Sequence, residues 1–126
     1  KPETTRDTIK GILTEGDCQL VFIDTPGIHK PHDLLGRIMI TQARSSILEA
    51  DIILFISEKR GLFDKDDLLI RDNFPPADKK EDKKVFLIIN KVDRVKDKKI
   101  LLPLMRKARD FYPFDEIIPI CALKEK

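Results

Sequence analysis

Cysteine is scarce: Cys18 and Cys121 are the only two in 126 residues, and they lie far apart. That supply excludes a disulfide framework, argues against a zinc site and suits a reducing compartment. Long apolar runs are missing too, and none approaches the roughly 20 residues a bilayer span needs. Charge of one sign is absent: 24 lysines and arginines oppose 22 acids, for a net +2. So small a bias makes no whole-chain case for a polyanionic partner. Repeats and low-complexity segments are lacking. Lys1 opens into charged and polar residues without a signal-peptide pattern, and no methionine precedes it. We therefore expect a piece of a longer chain. What is present is 41% hydrophobic and 37% charged residues, a globular composition with length for one core.

Strand and helix patterns alternate along the chain. Asp7 to Thr14 and Cys18 to Asp24 are β-prone runs joined by Glu15-Gly16-Asp17. The junction predicts a hairpin, with Gly16 free to take φ > 0. Gln19 to Ile23 is nearly all apolar, as suits a strand buried on both faces. A loop with Pro26, Gly27 and Pro31 follows. Leu34 to Leu48 has helical spacing, with Leu35, Ile38, Met39, Gln42, Ala43, Ser46 and Ile47 near one face. Asp51 to Ile56 is the next buried-strand candidate. Asp64 to Asn73 predicts a short helix capped by Asp64 and stopped by Pro75-Pro76. Ala77 to Lys84 reads as a charged loop, and Val85 to Ile89 as the third apolar strand. Asp97 to Tyr112 predicts a helix in which Pro103 marks a kink or a late start. Glu116 to Ile120 closes as a strand. The order predicts an α/β fold with a largely parallel sheet, the leading hairpin adding one antiparallel pair.

Parallel sheets bind ligands beyond their carboxyl ends, so the residues after each apolar run carry the information. After Ile23 come Asp24, Thr25, Pro26 and Gly27. The acid can hold Mg²⁺ through water, and the glycine N–H can approach a phosphate with no Cβ in the way. Alone, the same residues make an ordinary turn. After Ile89 come Asn90, Lys91, Val92 and Asp93. A carboxylate at Asp93 can accept the N1–H and exocyclic amine of guanine, a donor pair adenine lacks. Asn90 can tie neighbouring loops together and reach N7, and the Lys91 stem can lie along the base. A polar strand-to-helix turn is the competing reading. After Ile120 come Cys121, Ala122, Leu123 and Lys124, whose backbone N–H groups and lysine stem can meet the same base. Near the start, Thr4 and Thr5 offer hydroxyls to a magnesium shell, or are merely solvated. Each motif is weak singly. Their order, with the last three each behind its own apolar strand, favours a guanine-nucleotide domain.

These residues resemble the TrmE–Era–EngA group of GTPases, and most closely its Era-type members, over essentially the whole chain. Lys1-Pro2-Glu3-Thr4-Thr5-Arg6 is similar to the switch I segment KPQTTR. Asp24-Thr25-Pro26-Gly27-Ile28-His29-Lys30-Pro31 is similar to the switch II signature DTPGIHKP. Asn90-Lys91-Val92-Asp93 matches the base-specificity motif, and Pro119-Ile120-Cys121-Ala122-Leu123-Lys124 resembles PISALK. The resemblance implies a P-loop NTPase G-domain-like three-layer sandwich that binds GTP or GDP with Mg²⁺, K⁺ being a further candidate. Thr4 or Thr5, Thr5 being preferred, then binds Mg²⁺ and serves catalysis. Asp24 holds the metal through water, and the Gly27 amide senses the γ-phosphate. Thr25, Pro26, Asn90, Lys91, Asp93, Cys121, Ala122, Leu123 and Lys124 complete the nucleotide contacts. Ile28 stands where Ras-like GTPases carry a water-positioning glutamine, which implies slow intrinsic hydrolysis. Cys121 replaces the usual serine, which implies looser nucleotide binding.

The spacing GxxxxGKS/T occurs nowhere in the chain, so the phosphate cradle is missing. By the resemblance, residues 1–126 are a partial G domain from switch I to the last guanine loop, without the first strand, P-loop, first helix or C-terminal KH domain. Alone the fragment is expected to be inactive, with apolar strand edges left unpaired. The parent is expected to be a cytoplasmic monomer that hydrolyses GTP, assists small-subunit assembly and rRNA maturation through a domain absent here, and associates peripherally with the inner membrane. The alternatives are a related GTPase of tRNA modification or large-subunit assembly, and a non-catalytic α/β interaction module.

Overall fold

The computed structural model describes residues 9–25, 34–58, 63, 65–79, 83–95 and 98–124. The chain divides into two compact units, residues 1–49 and 50–126.

In the first unit, β1 (Ile9–Glu15) and β2 (Cys18–Asp24) form an antiparallel two-stranded sheet. Glu15 pairs with Cys18, so the loop is Gly16-Asp17, and Gly16 takes the expected positive φ of 58°. Helix α1 (Leu34–Glu49) follows, one residue longer than the pattern predicts. One expectation is met here and one fails. The hairpin forms its own sheet and does not pair with β3, so the apolar strand edges stay unpaired as expected. But β2 is not buried on both faces: Leu20, Val21 and Phe22 are exposed. A two-stranded ribbon supplies ladder hydrogen bonds but no second layer to cover its apolar side chains. On α1, Ala43 is buried and Ser46 and Ile47 half-buried, but Ile38 and Gln42 are exposed, so among the described side chains of the apolar face the covered ones lie toward its carboxyl end.

The second unit is built on a parallel sheet. Strand β3 (Ile52–Glu58) pairs with β4 (Lys84–Asn90), and β4 with β5 (Glu116–Pro119). The order β3-β4-β5 puts β4 in the centre. Val85, Leu87 and Ile89 are the largest fully buried side chains, and Ile88 on the opposite face is 9% exposed. Thus β4 is the one strand covered on both faces, as its unbroken apolar run requires. Strand β3 departs from that reading. It buries Ile53 and Phe55 but exposes Ile52, Leu54 and Ile56, an alternation of a strand covered on one side. Pro119 ends the edge strand β5, where its missing N–H is tolerated.

The helices begin and end for local reasons. In α2 (Lys65–Arg71), the Asp67 carboxylate accepts the Phe63 N–H, satisfying a donor ahead of the first turn. The expected cap Asp64 lies outside the described residues. The amide of Asn73 donates to the Leu69 carbonyl at 2.6 Å, and Pro75-Pro76 cannot continue the helix. The loop after it holds one 3-10 turn, Ala77–Lys79, where no regular structure is expected. Helix α3 (Leu101–Phe111) resolves the question of Pro103, which sits in the first turn where no N–H is needed. The late start is correct, preceded by a 3-10 turn at Lys98–Ile100.

The amino end of the parallel sheet is closed by aromatics. Phe55, Phe74, Tyr112 and Phe114 pack with ring centroids 5.2 to 6.5 Å apart. The Tyr112 hydroxyl donates to the Pro75 carbonyl at 2.7 Å. Beside them Asp115 accepts the Val85 N–H at 2.8 Å and returns its own N–H to the Val85 carbonyl, which fixes where β4 starts.

Burial, with Asp115 nearby, pushes the Tyr112 hydroxyl up to about 12. A raised phenol pKa contributes stability that is whole below the unfolded value near 10 and is lost as pH rises through the folded value. Urea unfolding across alkaline pH should show stability falling between pH 10 and about 12. Tyr112→Phe should flatten that segment and cost about 1 kcal/mol at neutral pH. An unchanged alkaline slope in the variant would refute the assignment.

Candidate functional site

The carboxyl ends of β3, β4 and β5 bring Glu58, Asn90 and Cys121 to one end of the sheet. Asn90 is the last residue of β4, paired in register with Glu58. Its side-chain oxygen accepts two backbone N–H groups, Lys91 at 2.7 Å and Ala122 at 3.2 Å. One side chain therefore joins the loop after β4 to the loop after β5. Backbone bonds run alongside. Ile120 N–H donates to Ile89 at 2.9 Å, and Val92 N–H donates to Ile120 at 3.2 Å.

Lys91 then turns the chain, with φ 60° and ψ 35°. A non-glycine residue in the left-handed region carries strain, which the surrounding bonds must hold. The turn runs into a 3-10 turn, Val92–Arg94, and Val95 is buried behind it. Two consequences follow. The Lys91 ammonium pairs with the Glu58 carboxylate. Asp93 is exposed and accepts the Cys121 thiol at 3.1 Å. The thiol donating to it holds the Asp93 carboxyl below its ordinary range. A smaller effect of burial opposes this, while its own backbone N–H, Lys124 and Arg94 reinforce it. Asp93 is accordingly an ionised acceptor at neutral pH. Lys124 follows in a turn closed by its N–H to the Cys121 carbonyl at 3.0 Å.

Of the residues marked in the sequence, the structure gathers Asn90, Lys91, Asp93, Cys121, Ala122 and Lys124, with exposed Leu123 in the same loop. Asp24 ends β2 and Thr25 follows it, both in the first unit. Thr4, Thr5, Pro26 and Gly27 lie outside the described residues, as does Ile28. Cys18 is exposed at the hairpin, whereas Cys121 is buried. Glu58 is a residue the motif reading missed. Its signal is its place, two residues beyond the apolar run that ends at Ile56, near the position that singled out Asp24 and Asn90.

For a divalent cation, Asp24 has the right chemistry, a hard oxygen donor at a strand end. Among the described residues no three histidines, cysteines or acids group to hold a metal alone. Such a cation therefore needs ligands beyond the described protein groups, as Mg²⁺ commonly takes from water and phosphate. No helix among the described residues is long and apolar enough to cross a membrane.

Comparison with known proteins places these features in context. A family model described as "50S ribosome-binding GTPase" matches residues 1–91. The GTPase Era of Clostridium kluyveri is 44% identical over the full chain, and that of Clostridium novyi 42%. The chain spans 41% of the length of each of these relatives. Among solved structures, Era in complex with MgGDPNP and nucleotides 1506–1542 of 16S ribosomal RNA aligns with a TM-score of 0.84 at 36% identity. That alignment covers 98% of this chain and 41% of the other. A variant of Aquifex aeolicus Era bound to GDP and AlF4⁻ aligns with a TM-score of 0.81 at 38% identity, covering 98% and 42%.

The Asp93–Cys121 bond makes a direct test. Cys121→Ala removes the leading cause of the depressed Asp93 pKa, so carboxyl-carbon NMR should show Asp93 titrating at higher pH. A depressed carboxylate contributes stability above its unfolded pKa that is lost as pH falls through the folded one. The variant should therefore lose part of its pH-dependent stability on the acid side. An Asp93 titration that does not move would show that the thiol does not act on it.

Proposed function

Because the chain belongs to the family described as 50S ribosome-binding GTPases, and is of the Era type within it, we propose that it is the switch and guanine-reading part of a protein that binds and hydrolyses GTP to assist small-ribosomal-subunit assembly and rRNA maturation. The observation that carries the proposal is the loop pair bridged by Asn90, which presents an ionised Asp93 beside the Cys121 and Lys124 loop. In this reading Asp93 accepts the N1–H and amino group of guanine. The Lys91 and Lys124 stems cover the base, and the Ala122 and Leu123 backbone meets its carbonyl oxygen. Adenine would leave the carboxylate facing its N1 lone pair, an unpaired charge against an acceptor.

Asp24, Thr25, Pro26 and Gly27 are assigned to the phosphate side, with Asp24 and Thr4 or Thr5 as the residues that would hold Mg²⁺. Thr5 and Gly27 are the proposed catalytic groups, and K⁺ is a further cofactor of the proposal. When bound, Mg²⁺ neutralises developing phosphate charge. Asp24 orients water toward that site, and Gly27 offers an N–H where a side chain would obstruct. The proposed partners are the guanine nucleotide and the RNA of the small subunit, the latter through a domain outside residues 1–126. The proposed setting is cytoplasmic, with the parent a monomer associating peripherally with the inner membrane. The small-subunit assignment, over the large subunit in the family description, is supported by the Era relatives and by the 16S RNA bound to one of them.

The test is base selectivity in the full-length protein. Asp93→Asn exchanges an acceptor for a donor and should weaken GDP by about a hundredfold or more, with a xanthine nucleotide binding better than GDP. Titration with fluorescent guanine and xanthine diphosphates reads the ratio. Retained guanine preference would sink the assignment of Asp93. Separately, Cys121→Ser supplies a stronger donor to Asp93 and should tighten GDP binding by several-fold at most. Weaker binding would show that the thiol is the better partner at this position.

A further inference from the structure

The balance of charge over the chain conceals a local excess. From Arg94 to Arg109 the sequence holds seven lysines and arginines against one acid, Asp97, and the rest of the chain is net negative. The excess begins directly behind the base-reading turn and ends on α3. That helix turns Ala108 to the core, with Leu101, Leu104, Met105 and Phe111 half-buried around it. Its outward face presents Arg106, Lys107 and Arg109, all exposed, and Arg94 is exposed at the start of the segment. None of the ion pairs Arg71–Asp72, Lys84–Asp115 and Lys91–Glu58 engages these four cations. Asp110 is the one acid on the same face of α3.

We propose that the outward face of α3 is a docking surface for the phosphate backbone of RNA, additional to the RNA contact assigned above to a domain outside this chain. It rests on that reading for the class of partner and extends it to a new surface. Three physical points favour RNA. Solvated faces that need no partner ordinarily intersperse both signs of charge, and this one is nearly all positive. Arginine supplies two of the three exposed cations on that face, and its planar fork matches phosphate oxygens two at a time. Arg106 and Arg109 stand three residues apart, on neighbouring positions of one helix face, so both can meet the same strand. A lipid surface fits less well. The apolar stripe of α3 faces inward, and Leu102 is the single large apolar side chain exposed among those cations on the helix. One such side chain offers little to bury in a bilayer, where anchoring takes more than one signal.

The experiment uses the full-length protein with 16S RNA, and the triple variant Arg106→Gln, Lys107→Gln, Arg109→Gln. Glutamine is a good helix former and these positions are exposed, so the fold should be kept. RNA affinity is measured from low to moderate salt, with GDP binding followed in parallel. The expected result is an apparent Kd for RNA about tenfold higher at low salt, and a log–log salt slope shallower by about two. GDP affinity should be unchanged. The variant Arg106→Lys, Arg109→Lys retains charge and should keep the parent's slope. Unchanged RNA affinity and slope in the glutamine variant would overturn the proposal. So would an RNA affinity that falls equally in the lysine variant, which would mean a fold effect. Binding lost only on vesicles containing anionic phosphatidylglycerol would also overturn it, in favour of a membrane face. Failure of the parent to bind GDP would strike the functional reading instead, and the RNA slopes would still decide this surface.

Discussion

The side-chain oxygen of Asn90 accepts N–H groups from two loops that lie on either side of α3 in the sequence, one at Lys91 and one at Ala122. Apart from the 3-10 turn Val92–Arg94, neither loop has regular structure to hold it. What places this acceptor is the strand beneath it. Strand β4 is central in its sheet and buried on both faces, with Val85, Leu87 and Ile89 wholly inside. Asp115 fixes its amino end by exchanging hydrogen bonds with Val85. A strand anchored at both ends and in the core cannot slip by one residue without turning its apolar set outward. Asn90 therefore arrives at one position only. The polar site inherits its precision from an apolar run.

Strain and charge at the site are balanced by the same geometry. Lys91 sits in the left-handed region, a cost a glycine would avoid. The lysine keeps a side chain there, and the ammonium meets Glu58 across the β3–β4 ladder. Such an exposed pair adds little to stability, because water screens it and long side chains lose entropy. Its effect is directional: it ties the flexible lysine stem to the end of β3. Glu58 engages the lysine, while Arg94 and Lys124 act on Asp93. The site thus keeps an ionised acid among cations without neutralising it.

The pattern of elements was legible because it depends on local periodicity. The hairpin at Gly16, the helix from Leu34 and the apolar strands all appear where spacing places them. Burial was less legible. Identical-looking runs at Leu20–Ile23, Ile52–Ile56 and Val85–Ile89 have three different environments, on a ribbon, on one covered face and at the centre of a sheet. An apolar run records which faces a strand can bury, whereas its neighbours decide which it does bury. The site was legible as motif letters, but its connections were not. Nothing in the spacing of Asp93 and Cys121 announces a bond across 28 positions, and Glu58 belongs to no motif at all. These contacts are set by the parallel register, which a single strand's sequence does not contain.

The thiol at Cys121 bears on how the acid reads its ligand. A carboxylate has about four lone-pair sites, and guanine needs two of them from the edge it presents. A donor from the protein steadies the carboxylate's orientation. A hydroxyl would hold it more firmly than a thiol does, because S–H is a weak donor. Cys121 is buried and donates to Oδ1 of Asp93. It therefore steers the group and leaves the lone pairs of the other oxygen to the ligand side. Asp93 stays exposed, and its depressed pKa keeps it ionised. Selectivity at such a site follows from an uncompensated charge: a base that supplies two donors satisfies it, and a base that supplies an acceptor does not.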